Sequence, residues 1–331
     1  MSRPLLASNR QPVFYGWWVV ATSALGVFLG AAPIVVFSFG VFMKPLSQEF
    51  HATRAVVGFA LTIYSLLAGG MHPFLGRLLD RVGAKRIILA GTIILALALI
   101  SSEAVGYNIR QLYLIFVVLG LVGGAAGPGS YGVVIPRWFN RHRGLALSGM
   151  LFGIGIGAII MPALAQRLIV SFGWRAAYAL AGSATLLICV PVVAALLKDR
   201  PEEMGLMPDG DATPGLQQRS SDEGHEWHEI WHDPLFWLMV AAFALIGLSV
   251  AGCVIHLPAL LSDRGGRTTV ATTVLGAALL LGRSGTGYFL DRFFAPRVVV
   301  CIFLGVSFGI VLLWMGSSGP VALFAAFLIG L

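Results

Sequence analysis

Arg283 is a charged side chain inside an apolar run, about two helical turns from the end of that run. A charge at depth in a bilayer costs about 2.5–3.5 kcal/mol on insertion scales, so it is retained where it faces a cavity and a counter-ion. The apolar runs hold no internal aspartate or glutamate that could pair with it. A guanidinium group binds a carboxylate through two parallel hydrogen bonds. We therefore predict that Arg283 binds a small-molecule carboxylate; the alternatives are extension to the membrane interface or pairing with loop acids.

Two charged segments, Gly76–Arg81 and Gly287–Arg292, share the pattern Gly-x-x-Leu-Asp-Arg at an offset of 211 residues. Both stand at the ends of apolar runs, and each is followed five residues later by a further arginine. A repeat of this kind is typical of transporters built from two similar halves. The first corner is defined as Asp80, Arg81 and Arg86, and the second corner as Asp291, Arg292 and Arg297.

The two corners are predicted to act as a conformational latch on the cytoplasmic side of a membrane protein. An acid and its neighbouring cations can pair across the two halves when that side is closed, and opening separates them. Exposed ion pairs contribute only about 0–1 kcal/mol each, so such a latch biases an equilibrium and does not lock it. The alternative is that both corners only signal topology and cap helices.

His72 occupies the place in the second apolar run that Arg283 occupies in the eighth, because the same offset of 211 residues relates them. A histidine that faces the same cavity can donate a hydrogen bond to an anion or carry a proton. We therefore group His72 with Arg283 as a candidate substrate-binding residue. The alternative is a structural histidine that bonds a carbonyl of its own helix near Pro73.

The composition indicates a membrane protein. Hydrophobic residues make up 57% of the 331 residues and charged residues 11%, whereas a soluble domain carries about 25% charged residues. About 20 apolar residues cross the hydrocarbon as a helix. The predicted spans are 17–42, 55–75, 87–105, 111–135, 145–170, 176–197, 235–256, 270–290 and 298–316. A tenth starts at Pro320 with 12 residues, about 18 Å of helix, so we expect the chain to end inside it.

The spans fall into two groups on either side of a polar, proline-containing segment. We predict an N-terminal six-helix bundle at 1–197, a cytoplasmic linker at 198–234 and a partial C-terminal bundle at 235–331. Fourteen of the 22 lysines and arginines fall on the side of the N-terminus and seven on the other. This bias predicts a cytoplasmic N-terminus in a multi-pass protein of the inner (plasma) membrane.

A zinc-protease pattern, H-E-x-x-H, occurs at residues 228–232. In such enzymes two histidines bind zinc and the glutamate is the base, but catalysis also needs a third ligand and a shaped cleft. Here the pattern lies in the linker just before a span, and its aromatic residues predict an amphipathic helix at the membrane interface. We therefore expect no metal site, no catalytic residue, no cofactor and no enzymatic activity.

Several stretches resemble a known family. Gly76–Arg86, GRLLDRVGAKR, is similar to the loop motif between the second and third helices of the major facilitator superfamily. Tyr15–Val20, Phe39–Ala55 and Arg137–Gly149 resemble its monocarboxylate porter and oxalate:formate antiporter branch. Arg200–Gly210 looks like the segment after helix six in bacterial members. The resemblance implies an all-α membrane protein with a twelve-helix major facilitator fold, of which this chain would hold about nine helices and part of a tenth.

The resemblance also implies residue roles. Gly282–Gly287, GRSGTG, resembles the helix-eight segment whose arginine binds the substrate carboxylate, and that arginine is Arg283 here. Proton-coupled monocarboxylate porters carry an aspartate one helical turn earlier, where this chain has Leu279. They also carry a lysine within helix one, where this chain has Phe37. Proton symport and anion exchange therefore both stay open.

Together these features predict a secondary transporter for a mono- or dicarboxylate, working by alternating access as a monomer in the lipid bilayer, with no nucleic-acid partner. The bundle at 1–197 would rock against the bundle at 235–331 around a central cavity. One alternative is a non-transporting sensor or receptor on the same fold, which would use the acidic linker to bind a partner. The other is an exporter of hydrophobic compounds, which would need a buried acid that the apolar runs lack.

Overall fold

The computed structural model describes residues 14–210, 231–263, 278, 281–282, 285–286, 288–289, 291–315 and 320–330. Its helices are α1 (Gly16–Phe28), α2 (Phe39–Glu49), α3 (Arg54–Val82), α4 (Ala84–Ile100), α5 (Ile109–Gly123), α6 (Pro128–Trp138), α7 (Arg143–Ala184), α8 (Val190–Leu196), α9 (Pro234–Asp263), α10 (Ala295–Trp314) and α11 (Pro320–Gly330). Short π-helical stretches, Ala32–Phe37 and Thr185–Cys189, connect α1 to α2 and α7 to α8. These described residues contain no β-strand.

Six described stretches are long and apolar enough to cross a membrane. They are Gly16–Phe37, Arg54–Val82, Ala84–Ala104, Ile109–Trp138, Arg143–Leu196 and Pro296–Trp314. The fifth stretch has 54 residues and contains two predicted spans. Helix α9 covers the predicted seventh span, whereas most of the predicted eighth span, 270–290, lies outside the described residues.

Helix α7 is interrupted at Gly173, between the predicted spans 145–170 and 176–197. The backbone there has φ 84° and ψ 168°, in the region of positive φ that favours glycine because other residues place a Cβ against the backbone. Trp174, the next residue, is buried. The predicted division of this stretch into two spans therefore coincides with a conformational break that glycine allows.

Two other spans are irregular, and hydroxyl groups bond the carbonyls there. The first span becomes π-helical around Pro33, where the Ser38 hydroxyl donates to the Pro33 carbonyl at 2.8 Å. The fourth span divides into α5 and α6, and near the division the Ser130 hydroxyl donates to the Gly124 carbonyl at 3.1 Å. Side-chain donors of this kind satisfy carbonyls that a broken helix leaves without a partner.

The helices of residues 14–197 share one buried core around α7. Close approach to α1 depends on Gly153, because a Cβ at this position would overlap the Ala24 carbonyl. Small residues permit such contacts between membrane helices, where packing replaces the hydrophobic driving force. The Thr185 hydroxyl adds a polar link at 3.2 Å to the Leu29 carbonyl, just past the end of α1.

The later helices form a second, smaller group. Helices α10 and α11 pack through a buried apolar cluster that includes Leu313, Ala325 and Ile329. Phe243 of α9 meets Phe303 of α10 edge to face, with ring centroids 5.7 Å apart. The domain limits at 1–197, 198–234 and 235–331 stay a prediction.

Candidate functional site

Asp291 of the second corner binds the start of α7. Its Oδ1 accepts a hydrogen bond from the Gly144 backbone N–H at 2.7 Å, and its Oδ2 accepts one from the Leu145 N–H at 2.8 Å. The first N–H groups of a helix lack an acceptor within the helix and carry the positive end of its dipole, so a carboxylate is favourable there. Because these residues are 147 positions apart, the contact joins the first helical group to the second.

Asp80, Arg81 and Arg86 of the first corner lie at the end of α3 and the start of α4. All three side chains are exposed, and none forms a hydrogen bond or an ion pair with another residue that the structure describes. The acid of the first corner therefore offers its two oxygens to solvent, whereas the acid of the second corner uses both of its oxygens in the contact with α7.

Both corners lie at the same face of the helical bundle, which we name the charged face. Next to the first corner, the Lys85 backbone N–H donates to Asp199 Oδ1 at 2.7 Å. The adjacent Lys198 carbonyl accepts from the Trp138 indole N–H at 3.0 Å, and Trp138 ends the helix that precedes α7. The first corner therefore lies at the same face as the end of α6, a few residues before the start of α7 where Asp291 binds.

The arginines of the second corner interact within their own segment. One guanidinium nitrogen of Arg292 donates to the Tyr288 hydroxyl at 3.3 Å. The guanidinium of Arg297 lies 5.8 Å from the centre of the Phe294 ring, within the range of a cation–π contact. The contact across the two groups therefore uses the acid of the predicted latch and backbone N–H groups, and it does not use the arginines of either corner.

His72 lies on α3 with an exposed side chain. Its Nδ1 is 2.5 Å from the Ala68 carbonyl oxygen, and since a carbonyl only accepts, Nδ1 carries the hydrogen. The ring faces Gly124 and Gly129, on either side of the break between α5 and α6. In the neutral ring Nε2 is then the acceptor, so His72 combines a helix-satisfied Nδ1 with a second nitrogen at an irregular part of the bundle.

Arg283 and Leu279 lie outside the described residues, as does the zinc-protease pattern apart from its last two residues. The described residues 281–282 and 285–286, on either side of Arg283, are helical. Phe37, which replaces the lysine of the proton-coupled porters, is half-exposed at the end of the first π-helical stretch. Among the residues that were described, no group of three or more histidines, cysteines or acids could hold a metal ion.

A cavity of about 600 Å³ lies between residues 281–289 and α10. Its walls are mainly apolar, with Phe289 and Ile302 among them, and Arg297 is the charged side chain of its described lining. Each lining residue that the structure describes belongs to the second helical group. The described lining of this cavity therefore contains no residue of the first helical group.

Arg175 organises the opposite face of the first helical group. Its guanidinium donates to Glu49 at 3.0 Å and to the carbonyls of Val105 and Gly106 at 2.8 and 3.3 Å, and it stacks 4.5 Å from the Trp174 ring. One side chain thus connects the end of α2, the loop before α5 and the break in α7. In the sequence Arg175 is one of the seven cations on the side opposite the N-terminus, and no spacing relates it to Glu49.

A bundle of apolar helices whose two groups meet through a capped helix start belongs to the class of multi-pass helical membrane proteins. Residues 17–331 match the model of the Major Facilitator Superfamily, and the chain belongs to that family.

Two relatives illustrate the range of the family. The MFS transporter asaE of Aspergillus flavus is 25% identical over 87% of this chain and 63% of its own length. Monocarboxylate transporter 11 of Mus musculus is 26% identical over 91% of this chain and 65% of its own length. The chain therefore spans less than two thirds of the length of either relative.

A solved structure shares the fold. The proton:xylose symporter XylE, bound to 6-bromo-6-deoxy-D-glucose, superposes with a TM-score of 0.62 at 14% identity, over 96% of this chain and 78% of its own. The predicted family, its monocarboxylate-transporter-like branch and the all-α major facilitator fold are confirmed. Membership of this family also agrees with the expectation that the protein is not an enzyme.

Proposed function

We propose that the protein is a secondary transporter that carries a small organic anion, a mono- or dicarboxylate, by alternating access. The observation that carries the alternating-access part of this proposal is the contact of Asp291 with the Gly144 and Leu145 N–H groups, at 2.7 and 2.8 Å. It closes the charged face by joining the two helical groups there. Since it consists of two hydrogen bonds, one part-buried and one exposed, and not of packed apolar side chains, it can open without disrupting either core.

The strength of the latch suits a reversible switch. Hydrogen bonds to a charged group contribute about 1.5–3 kcal/mol when protected, and exposure lowers this figure. The two bonds together, after this reduction, contribute roughly 1.5–3 kcal/mol and shift the ratio of closed to open states by about ten- to a hundredfold. Binding of a substrate that prefers the other state can supply a comparable free energy, so the cycle can run in both directions.

Arg283 is the proposed anchor for the substrate carboxylate. It lies about two helical turns inside an apolar run, and no acid in the interior of the runs competes for it. The name of one relative, a monocarboxylate transporter, supports the same class of substrate. His72 is the proposed second group, because its Nε2 can accept or donate a proton while the ring stays fixed through Nδ1 to Ala68.

The orientation follows from the distribution of charge. We assign the charged face to the cytoplasm, because lysines and arginines concentrate on the cytoplasmic side of membrane proteins. The N-terminus and the linker at 198–234 then lie inside, in the inner (plasma) membrane, and the Arg175 cluster lies outside. In this proposal the protein works as a monomer and without a cofactor.

Uptake into proteoliposomes tests the proposal. The natural protein is reconstituted, and labelled mono- and dicarboxylates are offered with and without a pH gradient. Arg283→Lys should weaken apparent affinity by roughly ten- to a hundredfold, because lysine keeps the charge but loses the paired guanidinium bonds. Arg283→Ala should weaken it further, since the anion would enter a low-dielectric cavity without a partner.

Arg110→Lys is the matched control, because Arg110 is an exposed cation of the first helical group. It should leave uptake at the parental level. Parental affinity in Arg283→Ala would remove Arg283 as the anchor. Binding of a carboxylate by the parent without any uptake would favour the sensor alternative.

A further inference from the structure

The segment that follows α8 is packed onto the charged face through two acids. Asp199 accepts from the Lys85 N–H at 2.7 Å. Asp209 Oδ2 accepts from the N–H groups of Asn140 and Arg141, both at 2.8 Å. The Asp209 side chain is only 6% exposed, although it belongs to a stretch that the sequence predicts as a linker loop. This part of the linker is therefore attached to the first helical group.

The backbone at Asp209 is adapted to this contact. Its φ of 59° lies in the left-handed region, which aspartate and asparagine tolerate better than most residues. The other oxygen, Oδ1, is buried without a hydrogen bond and lies 3.8 Å from His142 Nδ1, a charge pair only when His142 is protonated. Burial of a carboxylate in a strained backbone is costly, so the two bonds to the loop offset that cost.

Asp209 and Asp291 bind neighbouring parts of the segment that leads into α7. Asp209 binds the N–H groups of residues 140 and 141, and Asp291 binds those of residues 144 and 145. Only two residues separate the two contacts. The loop before α7 therefore sets the direction in which the Gly144 and Leu145 N–H groups point, and Asp209 holds that loop.

We infer that Asp209 is a positioning residue for the latch: it fixes the start of α7 so that Asp291 can bind there. The inference rests on the proposed function, because the latch matters only if the charged face opens and closes. Asp209 stays with the first helical group in both states, since its partners belong to that group. Asp291 then binds to and dissociates from a helix start that Asp209 holds in place.

Residue-resolved hydrogen exchange of the natural protein in lipid nanodiscs tests the inference. The Gly144 and Leu145 N–H groups lie in the first turn of α7, where a helix supplies no acceptor, so their protection reports on Asp291. Asp291→Ala should raise their exchange rates, and this increase gives the reference value for complete loss of the Asp291 contact. Asp209→Gly removes the carboxylate but still allows the positive φ, and it should raise exchange at residues 144 and 145 by roughly three- to tenfold.

Two further variants make the test specific. Asp199→Ala breaks a comparable cap at Lys85, away from α7, and should leave residues 144 and 145 unchanged. Asp209→Asn retains an acceptor oxygen and the left-handed backbone, and should raise exchange less than Asp209→Gly. Faster exchange confined to residues 140 and 141 in Asp209→Gly would overturn the inference and leave the latch intact. Unchanged exchange at residues 144 and 145 in Asp291→Ala would overturn both proposals.

Discussion

The first and second corners carry the same short sequence pattern in different surroundings. Asp291 accepts two backbone N–H groups from the start of α7. Asp80, which the offset of 211 residues relates to it, is exposed and has no hydrogen bond or ion pair to another described residue. Adding the same offset to 144 and 145 gives positions 355 and 356, beyond Leu331, so the equivalent helix start is not among these residues.

The short sequence pattern and the opposite half of the molecule supply different parts of the Asp291 contact. The pattern places an acid with two acceptor oxygens near the end of a helix. Only a helix start on the other half, with N–H groups that lack acceptors, turns this acid into a contact. The arginines do not account for the difference between the two corners, because Arg292 and Arg297 interact within their own segment.

Removal of Asp291 should have the largest effect on the comparison. Asp291→Ala deletes both hydrogen bonds, and we expect the ratio of closed to open charged faces to fall by roughly ten- to a hundredfold. Distances between spin labels at Val82 and Phe293, two exposed side chains of the charged face, measure this ratio by double electron–electron resonance. The background lacks Cys253 and Cys301.

The control for this prediction is Asp199→Ala, which removes an acid whose described hydrogen bond lies within the first helical group. It should leave the distance distribution unchanged. An equal shift in both variants would mean that the labels report general loosening of the charged face and not the latch.

Asp291→Asn should have an intermediate effect, because an amide oxygen still accepts a hydrogen bond but no longer carries the charge that complements the dipole of α7. That charge contributes about 0.3–1 kcal/mol, or up to roughly fivefold in the closed-to-open ratio. The same spin-label distances measure it. A shift as large as that of Asp291→Ala would indicate that charge, and not hydrogen bonding, provides the contact.

Asp80→Ala should have the smallest effect in the 331-residue chain. Exposed substitutions without partners change stability by about ±0.5 kcal/mol, which corresponds to less than about threefold in the closed-to-open ratio. The measurement is the spin-label experiment on the 331-residue chain in nanodiscs. If Asp80→Ala shifted the distances as far as Asp291→Ala, the two corners would be equivalent and the comparison would fail.

Local pattern in the sequence predicted most of the described helices and placed the acids of the two corners near helix ends. Apolar length predicted the spans, and the division of α7 at Gly173 falls between two of them. The offset identified Asp80 and Asp291 as equivalent acids. Their different surroundings were not predictable, because a backbone N–H group is present at every residue and only the fold shows which N–H groups lack an acceptor.

The polar contacts of the loops were also not predictable from the sequence. Asp209 and Arg175 lie 68 and 126 positions from partners that they bind. Their charge alone predicts a solvent-exposed loop position for both residues. Nothing in the neighbouring sequence distinguishes a charged side chain that binds buried partners from one that is exposed to solvent. Arg283 presents the opposite case, since its position in an apolar run makes it a prominent candidate although it lies outside the described residues.

The most direct test of the central claim, that the Asp291 contact opens in every transport cycle, is a reversible cross-link across it. Cysteines replace Leu145 and Tyr288, two exposed side chains on either side of the contact, in the background without Cys253 and Cys301. A short bifunctional reagent with a reducible bond links them in proteoliposomes. Linking should lower carboxylate uptake by at least about tenfold, reduction should restore it, and each single-cysteine variant should be insensitive. Uptake at the parental rate with the link intact would contradict the account.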